Sequence, residues 1–90
     1  MGLAQGFKFE YSERLKVDTF LKKFVSNFVH HQEDSGLWVI STYNEKNMEF
    51  ELTFEKYGVY CHRSGDYFEV LGLFIEALTG EFGVVEINDL

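Results

Sequence analysis

The chain has 90 residues, of which 46% are hydrophobic and 18% aromatic, enough for a packed core and too many for a disordered chain. Its formal net charge is −7; residues 1–35 hold equal numbers of basic and acidic side chains, so the excess acid lies in residues 36–90. Because polyphosphates are bound largely by Lys and Arg, this balance argues against DNA, RNA and anionic membranes as direct partners.

Cysteine content and hydropathy indicate the cellular compartment of the protein. The single cysteine, Cys61, excludes an internal disulfide, which fits a reducing compartment. No stretch approaches the roughly 18 apolar residues of a membrane span. We therefore expect a cytoplasmic protein that forms one domain over residues 1–90.

The first part of the chain predicts a strand and then a helix. Residues 6–12 alternate between apolar and polar side chains, as in a short strand. From Val17 to Val29 the apolar residues recur every three or four positions, which is typical of an amphipathic helix. His30 and His31 would lie at the C-terminal end of this helix, and the polar residues 32–36 would terminate it.

The second part predicts three consecutive strands, a helix and a last strand. The strands cover residues 37–43, 48–55 and 59–63, with turns at 44–47 and 56–58. Asp66 and Glu69 have the spacing of a capping box for a helix over about residues 67–79, and Gly80 suits its C-terminal cap. Gly72 within this helix suggests close packing on the sheet. Residues 84–88 form the last strand.

The order β-α-β-β-β-α-β predicts an α+β fold. We expect a two-layer sandwich in which both helices cover one face of a mostly antiparallel sheet. The covered face would hold the apolar side chains of the alternating strands, namely Phe7, Phe9, Phe50, Leu52 and Phe54. The strand order stays open, because three central strands do not map onto the four-stranded split β-α-β pattern.

The uncovered face carries the main indication of function. Strand 48–55 places Glu49, Glu51 and Glu55 in one row that points away from the helices. Neighbouring like charges repel, so a basic partner would relieve this repulsion. The alternative is a solvated acidic face that only discourages aggregation. The residues expected to contact a partner are Glu10, Glu49, Glu51, Glu55, Tyr60, His62 and Glu86.

Aromatic residues near this row support an interface. Trp38, Tyr43, Tyr57 and Tyr60 are of the types enriched at the centres of protein interfaces, and each could equally belong to the core.

No pattern of residues indicates catalysis or a metal site. His30 and His31 are adjacent, as are Cys61 and His62, so neither pair converges on one ion. Cys61 shares the parity of Val59 on its strand and is predicted to lie in the core. Paired glutamates at the spacing of a glycosidase site occur on any alternating acidic strand and carry little weight. We expect a non-catalytic protein with no cofactor.

These observations favour a small module that binds a basic protein. Bacterial immunity proteins, which neutralise basic nuclease toxins, are similar in size, acidity and aromatic content, although the similarity involves no particular residues. It implies an inhibitor. Two alternatives remain: a self-associating structural or ligand-sensing domain of ferredoxin-like type, with a homodimer formed through an edge strand, and a mimic of nucleic-acid charge.

Overall fold

The computed structural model of the chain describes residues 3–90. Its strands are β1 (Leu3–Lys8), β2 (Val29–Gln32), β3 (Trp38–Tyr43), β4 (Lys46–Glu55), β5 (Gly58–Gly65) and β6 (Glu86–Asp89). Helix α1 (Arg14–Val25) follows β1, and helix α2 (Phe68–Phe82) follows β5. All strands pair antiparallel in one sheet of order β2-β3-β4-β5-β1-β6. The predicted α+β fold with a single sheet is confirmed, with one strand more than expected.

Both helices and four of the strands follow a simple order. Along the chain they are β1-α1-β4-β5-α2-β6, and across the sheet β4-β5-β1-β6, which is the split β-α-β order of ferredoxin-like domains. The remaining strands, β2 and β3, form a hairpin between α1 and β4 that extends the sheet beyond β4. This insertion explains why three central strands did not fit the four-stranded pattern.

The first helix ends earlier than the apolar repeat predicts. α1 stops at Val25, because the side chains of Ser26 and Asn27 turn back to its last carbonyls. Asn27 Nδ2 donates to the carbonyl oxygen of Phe24 at 3.2 Å, and Ser26 Oγ donates to that of Lys23. The prediction that His30 and His31 end this helix is wrong, since both lie on the exposed edge strand β2.

The first strand is shifted relative to residues 6–12. β1 ends at Lys8, which pairs with Gly58 on one side and Glu86 on the other, the first residues of β5 and β6. Neither β5 nor β6 therefore extends far enough to form a strand ladder with residues after Lys8. The backbone amide of Phe9 makes one further bond, to the carbonyl of Tyr57, before the chain leaves for α1.

The predicted capping box and cap of the second helix are wrong. α2 begins after Tyr67 without a side-chain cap, and Glu69 instead pairs with Lys46 Nζ at 2.6 Å. The helix runs past Gly80 to Phe82, and Gly83, with φ 83°, ends it. Gly72 is exposed, and an added Cβ would meet no atom within 4 Å, so this residue does not serve close packing on the sheet.

The core lies between the helices and one face of the sheet. α1 and α2 contribute one buried stripe each, and the strands contribute the apolar residues of one parity, so that both helices cover the same face as predicted. Phe54, at the margin of this face, is only half-buried. The fully buried large side chains are Phe7, Val17, Leu21, Val25, Ile40, Phe50, Leu52, Val59, Cys61, Val70, Phe74 and Leu78.

Candidate functional site

The strand register defines the uncovered face of the sheet. His62 on β5 pairs with Glu51 on β4 and with Ala4 on β1, and Glu51 also pairs with Val39 on β3. Directly paired residues share a face, and so do residues two apart on one strand. Cys61 faces the helices, so its neighbour His62 and the residues paired across the sheet with His62 lie on the uncovered face. Counting along each strand in steps of two from these residues then identifies the other side chains of this face.

Four carboxylates lie on this uncovered side. β4 contributes Glu49, Glu51 and Glu55, and β6 contributes Glu86, which pairs with Lys8 on β1. Among the strand residues that the structure describes, Lys8 is the one lysine or arginine on this side, so acidic charge is in excess. We call this uncovered side of the sheet, across the six strands β2, β3, β4, β5, β1 and β6, the acidic face.

Glu51 is held near the middle of the acidic face. Its Oε1 lies 3.3 Å from Nδ1 of His62, and the two side chains are 25% and 33% exposed. The distance would suit an ion pair only with a protonated imidazole, and the geometry is not that of a hydrogen bond. Nδ1 of His62 is buried without a hydrogen-bonding partner among residues 3–90. Glu51 is thus partly buried beside His62, whereas Glu49 and Glu55 are exposed.

Two tyrosines lie beside these carboxylates. Tyr60 is on the acidic face of β5, paired with Thr53 and Gly6. The ring of Tyr57 covers Gly6, with a ring carbon 3.0 Å from where a Cβ would be. Partial burial raises the pKa of Tyr57, and the nearby Glu55 and Tyr60 raise it further. Tyr57 therefore stays a neutral hydrogen-bond donor well above neutral pH.

One residue expected to contact a partner lies elsewhere, and two of the four aromatic residues that could belong to the interface or the core lie at the core. Glu10 is beyond the end of β1, where it and Glu86 line a cleft of about 400 Å³ at the end of the sheet. It was placed on the face because the strand was expected to continue to residue 12. Trp38 and Tyr43 are on the helix side, partly buried against the core. Of the four aromatic residues predicted for the interface or the core, Tyr57 and Tyr60 are thus the two on the acidic face.

Sequence reasoning missed Val39 on the acidic face. This residue is 6% exposed although no helix covers it, because it lies between His31 on β2 and Glu51 on β4. Alternation within residues 37–43 could have placed it there, since Trp38 and Ile40 face the core. Val39 adds an apolar contact beside Glu51.

The acidic face is shallow. The main clefts of the described residues, of 250 to 450 Å³, lie between α1 and the β2-β3 hairpin, between the helices and at the end of the sheet. None of these clefts is lined by Glu49, Glu51, Tyr60 or His62. Small-molecule sites are usually concave, so the shape of this surface suits a macromolecule better.

Cys61 is buried on the opposite side of β5 and is free, as predicted. Burial raises the pKa of its thiol to about 12, and the neighbouring Arg63 only partly opposes this effect. Because the thiolate is the nucleophile, Cys61 is inert at neutral pH.

This raised pKa predicts an alkaline loss of stability. The unfolded thiol ionises near its ordinary value of 9.0 and the folded one near about 12, so the folded state holds its proton more tightly between these values. The contribution is fully present below pH 9 and decreases as pH rises. At pH 10 the loss should be about 1–2 kcal/mol. Urea unfolding at pH 8, 9 and 10 measures it.

The control for this prediction is Cys61→Ala. The variant should be less stable at pH 8, because a buried side chain is truncated, but its stability should depend less on pH. The raised pKa of Tyr57 contributes equally in both proteins and cancels in the comparison. Equal slopes in wild type and variant would contradict the prediction.

Comparison with models of protein families, with curated proteins and with solved structures gives no match for this chain. Within residues 3–90, neither helix is long and apolar enough to cross a membrane. The same residues contain no group of three or more His, Cys, Asp and Glu side chains placed to hold a metal ion.

Proposed function

We propose that the protein is a non-catalytic module that binds a basic protein through its acidic face. The observation that carries this proposal is the row of Glu49, Glu51 and Glu55 on a shallow sheet surface that no helix covers. Carboxylates at alternate positions of one strand repel each other, and a cationic partner would relieve that repulsion. The same field would accelerate encounter with such a partner.

The centre of the acidic face has the features of a contact site. The side chain of Glu51 is only 25% exposed, beside His62, so less side-chain freedom should be lost when a lysine or arginine binds it. Tyr60, two residues before His62 on β5, and Tyr57, whose ring lies over Gly6 of β1, add ring surface and phenolic hydrogen-bonding groups to the same face. Aromatic residues are enriched among the residues that dominate binding energy at interfaces.

Inhibition of a nuclease toxin is the specific role that we infer. Nucleases carry basic surfaces because they bind phosphates, and an acidic sheet face of this kind could cover one. The size and acidity of the chain resemble those of immunity proteins, and this resemblance supports the proposal by analogy alone. A mimic of nucleic-acid charge would use the same surface. The activity of the captured partner separates the two: a nuclease supports the inhibitor, and a DNA-binding protein without nuclease activity supports the charge mimic.

Charge reversal at the centre of the acidic face tests the proposal. The partner is first captured from a lysate of the source organism at low salt, released at high salt and identified by mass spectrometry. Glu51→Lys should then weaken binding at least tenfold, because a lysine would oppose the partner's cations. Its thermal stability should change little, since the side chain is partly exposed. Titration calorimetry measures the affinity.

The matched control is Glu76→Lys, an exposed position on α2 on the other side of the molecule. It changes net charge by the same amount and should leave affinity within about twofold. Unchanged affinity in Glu51→Lys would remove the acidic face from the proposal. An equal loss of affinity in both variants would mean that the net charge of the protein, and not the acidic face, determines binding.

Self-association is a second candidate, favoured by the exposed edge strand β6. The amide of Leu90 donates to the carbonyl of Ala4, so Ile87 and Asp89 direct their backbone groups away from β1, toward the free edge. Two copies paired antiparallel about Ile87 would place Glu86 opposite Asn88 of the second copy, with no like charges opposed. Sedimentation of the free protein at two concentrations decides: a monomer at both removes this candidate.

A further inference from the structure

A charged side chain is buried in the core. Arg63 lies on the helix-covered side of β5, paired with Leu3 on β1 and Phe50 on β4, and it is 3% exposed. It is the one charged residue among the buried side chains of residues 3–90. Arginine is seldom buried this completely without a counter-ion.

The described residues supply no counter-charge to Arg63. Within residues 3–90 no carboxylate lies within 4 Å of its guanidinium, and its buried Nε and Nη1 have no hydrogen-bonding partner. The nearby thiol of Cys61 stays neutral, because burial raises its pKa to about 12. An uncompensated buried charge is strongly destabilising. An anion bound at this place would remove most of that penalty.

The start of α2 lies against the same side chain. The guanidinium carbon of Arg63 is 5.0 Å from the centre of the ring of Tyr67, the N-cap residue of this 15-residue helix. No side chain caps the helix, and the first intrahelical bond runs from the amide of Leu71 to the carbonyl of Tyr67. The amides of residues 68–70 are therefore donors at the positive end of the helix dipole.

The nearest acid on α2 is already engaged. Glu69 in the first turn pairs with Lys46 at 2.6 Å, and so it neither caps the helix nor neutralises Arg63. The first turn of α2 and Arg63 thus combine free amide donors, a favourable dipole and an uncompensated cation, as in other anion sites at helix N-termini.

We propose that Arg63 and the first turn of α2 form a binding site for a small oxyanion, a carboxylate or a phosphate. The anion reaches the guanidinium when the ring of Tyr67 turns aside. That ring is partly buried at the margin of the core, and its other neighbour, Phe68, stacked on it at 4.5 Å, is 72% exposed. The site lies on the side of the sheet opposite the acidic face, so it does not depend on the proposed function.

NMR titration of the full ¹⁵N-labelled chain tests the site. The probes are sodium phosphate and sodium acetate, with sodium chloride at matched ionic strength as the control. We expect saturable shifts of the Nε–H signal of Arg63 and of the amides of residues 68–70 with at least one oxyanion and not with chloride. Saturation with phosphate, acetate or both identifies the oxyanion. At ten times the dissociation constant the unfolding equilibrium constant should fall about tenfold.

Two variants make the result decisive. Arg63→Met keeps a long side chain that suits the buried position, so it should fold, and it should abolish the saturable amide shifts. Tyr67→Ala keeps the guanidinium and removes its cover, so it should bind at least as tightly as wild type. Absence of saturation in both wild type and Tyr67→Ala would overturn the proposal, as would undiminished amide shifts in Arg63→Met.

Discussion

Replacing Phe74 by alanine should lower the free energy of unfolding by about 3–5 kcal/mol, the range for a large side chain removed from a packed core. Phe74 is 0% exposed and lies at the junction of both helices and the sheet. Its ring centre is 5.3 Å from Phe7, 5.2 Å from Phe24 and 5.9 Å from Phe50, and it also contacts Phe20. One substitution thus removes aromatic contacts to β1, β4 and α1 together.

Chemical unfolding followed by circular dichroism measures this effect. Domains are stabilised by about 5–15 kcal/mol in total, so this loss removes a large share of the stability and should clearly lower the denaturant midpoint of the Phe74→Ala protein. Leu73→Ala is the matched control, since Leu73 is the preceding residue of α2 and is 41% exposed. It should lose markedly less stability. Similar losses in the two variants would contradict the core described here.

Gly58→Ala should destabilise the protein by at least about 3 kcal/mol, from backbone strain and a steric clash together. Gly58 begins β5 with φ 147°, a conformation that side-chain-bearing residues rarely adopt. A Cβ there would lie 2.2 Å from the carbonyl oxygen of Phe7 and 2.7 Å from the ring of Phe9. The first of these atoms belongs to the backbone of β1, so relief of the clash requires β1 and β5 to separate.

Gly72→Ala serves as the control for this substitution. An added methyl at Gly72 meets no atom within 4 Å, and alanine favours a helix over glycine by about 1 kcal/mol. This variant should therefore be slightly more stable than wild type. Thermal unfolding of both variants side by side makes the test. A Gly58→Ala protein as stable as wild type would mean that the β1–β5 pairing is looser than the register indicates.

The amino-acid sequence predicts the two faces of the sheet correctly where alternation is regular. Residues 48–55 change between apolar and polar at every position, and the structure places Phe50 and Leu52 in the core and Glu49 and Glu51 on the acidic face. Whether a strand side chain is buried depends on whether it is apolar and on whether its position is odd or even. Both can be read directly from the local sequence. The covered position of Cys61 follows from the same parity.

Helix and strand ends were predicted poorly because they depend on partners distant in sequence. The apolar repeat continues from α1 into Val29, yet the chain enters β2 because Ser26 and Asn27 cap the helix and β3 is there to pair. β1 ends at Lys8 where β5 and β6 begin. The local apolar pattern reveals neither the start of β2 nor the end of β1. Glu10, His30 and His31 were therefore assigned to the wrong elements.

By itself, the sequence determined an acidic α+β domain with an amphipathic sheet. Composition and side-chain alternation determine which side chains are buried on folding. Only the tertiary structure decided which polar groups meet. Pairing of β4 with β5 brings Glu51 to His62, and packing of α2 on the sheet encloses Arg63 beneath Tyr67. These contacts join residues of separate strands and helices, and their energies depend on distance and burial, which a linear pattern does not contain.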